Sequence, residues 1–136
     1  MIKDIVTDKE QLKIKSEKAT PEDKDVIQDL LDTFEKHSET AVCLAANQIG
    51  AQKRIIVINN LGTTQIMVNP MITDKKKPYL TQEECYSLKG VRKCKRFKRI
   101  TVEYLDESFE KHEETFTGYI AEVIQHGVDH CNGILI

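Results

Sequence analysis

The sequence has no apolar run near the ~20 residues that a membrane-spanning helix needs, which excludes a helical membrane protein. Its opening residues, Met1-Ile2-Lys3-Asp4-Ile5-Val6, lack the apolar centre of a secretory signal. Both absences point to the cytoplasm and to no membrane partner. The four cysteines, Cys43, Cys85, Cys94 and Cys131, form no C-x-x-C pair, which excludes a zinc knuckle. In a reducing compartment they read as thiols, ligands or core residues rather than disulfides. Net charge is also scarce: at -2 the chain is not a nucleic-acid binder driven by overall charge, and no direct nucleic-acid partner is expected. Repeats, low-complexity segments and linkers are missing, so the 136 residues read as one domain, 1–136. A chain of this size buries roughly two-thirds of its unfolded surface, enough for one core.

What is present reads as a mixed fold. Thr20-Pro21-Glu22-Asp23 has the composition of a helix start: a capping hydroxyl, a proline for the first turn, and acids facing the positive end. Val26, Ile27, Leu30, Leu31 and Phe34 then recur at helical spacing, predicting a helix to about His37. Arg54–Ile58 is a β-branched strand, Asn59-Asn60-Leu61-Gly62 a turn, and Thr64–Asn69 a second strand stopped by Pro70. Arg99–Leu105 alternates with period two, and Phe109–Phe116 returns as a polar edge strand. A final helix spans Gly118 to Cys131, ended by Asn132-Gly133. Strands in succession with helices at both ends give an α+β class: an N-terminal helix, antiparallel strands forming small sheets, and a C-terminal helix packed on them. The basic stretch from Arg92 to Arg99 reads as a solvated strand or loop; its sharper alternative is a contact with ribosomal RNA or an acidic peptide.

The last helix carries the chemistry. His126 and His130 stand four residues apart, one helical turn, and can grip one metal ion. A pair of packed core histidines is the competing reading. In the H-E-x-x-H pattern a glutamate follows the first histidine as general base; here Gly127 holds that place. A catalytic metal commonly takes three protein ligands, and Cys85 is a third candidate, since a thiolate with two imidazoles suits Zn²⁺ or Fe²⁺. Spacing alone leaves that set open.

Three segments, in order, resemble the signature motifs of the peptide deformylase family. Ala41-Val42-Cys43-Leu44-Ala45-Ala46-Asn47-Gln48-Ile49-Gly50 is similar to G-x-G-L-A-A-x-Q-x-G. Glu83-Glu84-Cys85-Tyr86-Ser87 is similar to E-G-C-x-S. Gln125-His126-Gly127-Val128-Asp129-His130-Cys131-Asn132-Gly133 is similar to Q-H-E-x-D-H-x-x-G. The resemblance covers essentially the whole chain. It implies a bacterial, cytoplasmic metallohydrolase that removes the formyl group from N-terminal formyl-methionine of new proteins. It also implies one divalent ion, Fe²⁺ or Zn²⁺ with Ni²⁺ a further option, held by Cys85, His126 and His130. Gln48 and the backbone N–H of Tyr86 would stabilise the oxyanion. The substrate's methionine would enter an apolar pocket, and its backbone would pair as an added strand along the first motif, at Cys43 and Leu44.

The departures set the questions. Gly127 removes the proton shuttle, a loss of about 10²–10⁴ in rate for a general acid–base group. Glu84 replaces a glycine beside Cys85 and is the candidate replacement base. Cys43 replaces a glycine where substrate backbone passes, and could crowd it or reach the metal. The chain ends at Ile136, soon after the motif helix, without room for the C-terminal helix by which some deformylases dock on the ribosome. Beside an active hydrolase stand two other outcomes: a non-enzymatic metal- and peptide-binding protein, and a fold with a purely structural metal site.

Overall fold

The computed structural model describes residues 1–85 and 87–136. A short helix α1 (Lys9–Leu12) precedes a 3₁₀ turn (Pro21–Asp23) and helix α2 (Lys24–Lys36). Strand β1 (Cys43–Ala45) leads into a second 3₁₀ turn (Ala46–Ile49), then β2 (Ile55–Asn60), β3 (Thr63–Glu83), β4 (Arg92–Leu105) and β5 (Lys111–Thr117). Helix α3 (Gly118–Cys131) follows. The strands join into one five-stranded antiparallel sheet, in chain order β1 to β5.

The 3₁₀ turn that leads into α2 is capped. Thr20 accepts from Glu22 N–H at 3.3 Å, and Asp23 accepts from Thr20 N–H at 2.8 Å, satisfying donors that the helix itself leaves unpaired. Ile27, Leu30, Thr33 and Phe34 form the buried face of α2.

The sheet has a core on each side, and β2 explains why. Alternate side chains of a strand point to opposite faces. Ile56 and Ile58 pack under α3 with Met67, Ile100, Val102, Ile124 and Val128. Ile55 and Val57 pack with α2, through Ile27, Leu30 and Phe34. All four isoleucine and valine residues of β2 are 0% exposed. A strand covered on both faces reads as a continuous apolar run, as this one does.

Pro70 does not stop the second strand, contrary to the sequence expectation. β3 continues to Glu83 through a bulge between Val68 and Met71. Asn69 adopts φ +52° there, and its side-chain amide is clamped by Ala19: Ala19 N–H donates to Oδ1 at 2.8 Å, and Nδ2 donates to Ala19 C=O at 3.0 Å. Pairing with β2 ends at Val68. Beyond it β3 has β4 as its one described neighbour, so prolines 70 and 78 sacrifice no ladder bond on that side. The basic stretch likewise is strand throughout: β4 begins at Arg92 rather than Arg99.

α3 spans the predicted residues and ends in a glycine motif. Ile134 N–H donates to Asp129 C=O and Gly133 N–H to His130 C=O, with Gly133 at φ +73°. A Cβ there would meet Lys13 C=O oxygen at 2.3 Å, so glycine is required. Arg54 places its guanidinium on Cys131 C=O (3.2 Å) and Asn132 Oδ1 (2.9 Å), a cation at the negative helix end. Among the described residues no helix is long and apolar enough to cross a membrane.

Candidate metal centre

α3 packs across the sheet so that His126 and His130 face the end of β3. Cys85 lies two residues beyond β3, and the ligand atoms of Cys85, His126 and His130 all lie within 4.8 Å of one another. The two histidine Nε2 atoms are 3.0 Å apart. Nitrogens bound to one zinc at tetrahedral geometry stand roughly 3.3 Å apart, so the donor set fits a metal of that kind. The electrostatics agree. Burial, with the neighbouring His126 and Arg96 charges, pushes the His130 pKa down to about 3, leaving a neutral imidazole. Burial raises the Cys85 thiol, but hydrogen bonds from His126 and from the Leu88 and Ser87 backbone together outweigh it, and the net shift is downward.

A buried ion network orients these ligands. His126 Nδ1 meets Glu83 Oε1 at 2.7 Å, which leaves Nε2 for a metal. Arg96 grips Glu83 with two hydrogen bonds, Nε–Oε2 at 2.9 Å and Nη2–Oε1 at 2.7 Å, and reaches Asp129 Oδ2 with Nη1 at 2.7 Å. Burial opposes ionising Glu83, yet the His126 and Arg96 contacts prevail and hold its pKa at about 2. Gln125 locks the helix to β4: its Oε1 accepts from Phe97 N–H and its Nε2 donates to Phe97 C=O, both at 2.8 Å. Asn47 Nδ2 donates to His130 C=O at 2.8 Å, tying the first motif to the backbone of a candidate ligand.

Arg96 and Asn47 contact the candidate ligands or their partners and were missed by sequence reasoning. Arg96 is 4% exposed and belongs to the site, although its stretch reads as solvated. A signal existed: Glu83, two residues before Cys85, needs a cation if it is buried. Asn47 had no sequence role.

The other predicted residues divide. Gln48 is buried; its Oε1 accepts from Ala45 N–H at 2.9 Å and its Nε2 donates to Ser87 Oγ at 3.2 Å. Gln48, Cys43, Glu84, Cys85 and His126 all line one cavity of about 670 Å³. Glu84 is exposed at its edge and outside the group of converging ligand atoms. Leu44 is buried, but its side chain lies in the core against α2. Tyr86 lies outside the described residues. Glu122, one turn before His126, also lines the cavity and accepts from Tyr79 O–H at 3.0 Å. Burial and a hydrogen bond with Glu83 raise its pKa. The cavity thus carries carboxyl groups among Val42, Val91, Tyr119 and Val123.

Gly127 and Cys43 are in contact. A Cβ on Gly127 would meet Ile56 Cδ1 at 2.9 Å and Cys43 Sγ at 3.0 Å. The sulfur of Cys43 stands where a side chain at 127 would begin. Cys43 is not in the converging group, and burial raises its pKa, so it stays a neutral thiol.

The geometry agrees with relatives. The polypeptide deformylase family model matches residues 2–136. A peptide deformylase of Clostridium beijerinckii is 49% identical over 136 residues, 100% of both chains. One from Thermodesulfovibrio yellowstonii is 35% identical over 117 residues, 82% of this chain and 70% of that one. The crystal structure of a peptide deformylase from Legionella pneumophila superposes with a TM-score of 0.89 at 31% identity, covering 99% of this chain and 83% of that one. With motif order, ligand convergence and full-length similarity in agreement, the chain belongs to the polypeptide deformylase family.

Proposed function

We propose that this protein is a metal-dependent hydrolase of formylated peptide N-termini, working in the cytoplasm on formyl-methionyl peptides at a slow or altered rate. The convergence of the Cys85, His126 and His130 ligand atoms, with Cys85 and His126 on the cavity wall, is the observation that carries this reading. These three residues would hold the ion, with Fe²⁺ or Zn²⁺ the candidates and Ni²⁺ a further option. When bound, such an ion lowers the pKa of water and polarises a carbonyl. Gln48 supplies a side-chain N–H from the cavity wall for the developing oxyanion, worth a few kcal/mol in such sites. The Tyr86 N–H is proposed as a second donor. β1 is an edge strand of the sheet, so an extended peptide can add to it beside Cys43, which lines the cavity, and Leu44 would offer its backbone to that pairing. Glu84, on the same cavity, is the candidate for the proton transfer that Gly127 cannot perform.

One observation favours a second reading, a metal- and peptide-binding protein without turnover: Cys43 fills the space beside Gly127. The test is hydrolysis of a formyl-Met peptide by anaerobic, Fe²⁺-loaded protein. Turnover that vanishes in Glu84→Ala supports the hydrolase with a relocated base. Peptide binding without turnover by the parent selects the second reading. Metal content of Cys85→Ser checks the ligand set separately: loss of the ion is expected, and full retention would contradict the assignment.

A further inference from the structure

The charge of this chain is far from evenly spread. Positions 75 to 99 carry ten of its 20 lysines and arginines but two of its 22 aspartates and glutamates. That segment has a formal charge of +8 and the remainder -10, and the near-neutral total conceals both. The segment is a two-stranded ribbon. β3 and β4 pair in unbroken register from Asp74↔Thr101 to Glu83↔Arg92, apart from Lys77, which sits at φ +62°.

The cations are outside. Lys75, Lys76 and Lys77 on β3 are exposed, as are Lys93, Lys95, Lys98 and Arg99 on β4. The one buried cation, Arg96, is occupied by Glu83 and Asp129, so Glu83 cannot screen the surface. Among the described residues, the exposed ribbon cations form one ion pair, Lys76 with Asp74 at 3.8 Å. Lys76 stands directly opposite Arg99, a like-charge pair that costs stability in an isolated sheet. Lys75 and Lys95 bring their ammonium groups to 5.5 and 5.4 Å from the same ring, that of Phe97. Leu80, opposite Lys95, is 84% exposed.

We propose that the outer surface of the β3–β4 ribbon docks RNA, with the exposed lysines and Arg99 on its phosphates. An extended row of unscreened cations complements a polymer bearing a negative charge about every 3.4 Å per strand. At ~3.3 Å per residue the β4 half of the ribbon is roughly 25 Å long, enough to follow several phosphates. Exposed, partly apolar sheet surface beside the cations suits single-stranded rather than duplex RNA. The ribbon ends at Gln82 and Glu83, which line the metal-site cavity, so RNA held here lies next to that cavity.

The test is fluorescence anisotropy of a labelled 20-nucleotide single-stranded RNA, titrated with the full chain. Neutralising about five phosphates predicts roughly 100-fold weaker binding at 200 mM than at 50 mM salt. Lys93→Glu/Lys95→Glu/Arg99→Glu should abolish binding, while its circular dichroism melt stays close to the parent's. If that variant does not fold, Lys93→Gln/Lys95→Gln/Arg99→Gln should weaken binding at least tenfold. Poly-glutamate that competes as well as RNA overturns the proposal in favour of an acidic protein partner. RNA binding unchanged in the folded charge variants, or absent in the parent at 50 mM salt, overturns it outright.

Discussion

β4 is one strand with two sets of surroundings. From Ile100 to Leu105 it lies under α3 and between two neighbouring strands, with Ile100, Val102 and Tyr104 buried. From Arg92 to Arg99 it pairs with β3 alone for most of its length and turns its cations outward, except Arg96. The first half is decided by packing, the second by charge. Arg96 is where they meet: a residue of the charged run drawn inward because Glu83 and Asp129 would otherwise be buried without a cation. The same side chain type in one short run thus does opposite things, according to what lies over it.

That contrast can be broken at several levels. The largest effect is expected where packing is tightest. Gly127→Glu alone must displace both Ile56 and Cys43, whereas Cys43→Gly/Gly127→Glu removes the sulfur and leaves only the Ile56 side chain to shift. Formyl-peptide hydrolysis should rise by about 10²–10⁴ in the double variant, the range for a restored general acid–base group, and clearly less in the single one. Equal gains in both would show that the sulfur is no obstacle.

Next comes Arg96→Leu. It leaves two carboxylates facing a protein interior, and urea unfolding should show a loss of about 3–5 kcal/mol. Ile100→Ala, four residues along the same strand and 0% exposed, should cost about 2–5 kcal/mol by the same measurement. Lys98→Ala, between them and exposed, should stay within about 0.5 kcal/mol. A Lys98 effect comparable to that of Ile100 would mean that the ribbon is packed rather than solvated.

Local chemistry was well written in the sequence. The Thr20–Asp23 cap, the apolar run of β2, and α3 from Gly118 to Cys131 with its Gly133 stop are each set by neighbours within a turn or two. Pro70 misled because a proline's cost depends on whether its missing N–H had a partner, and β2 ends just before it. The candidate ligand trio could be named through the family motifs, but spacing did not bring Cys85 to the helix; the long hairpin between β3 and β4 did. The role of Asn47 was illegible, since its partner is a backbone carbonyl 83 residues away.

The sequence by itself determined the α+β class, the elements that carry the site, the ligand types and the missing glutamate. These are local or compositional properties. The tertiary structure alone decided which cation is buried, that Cys43 and Gly127 share one space, and that the basic run lies along a two-stranded ribbon. Such facts depend on contacts between segments distant in sequence, because burial and pairing, rather than residue type, fix the energy of a charge or a cavity.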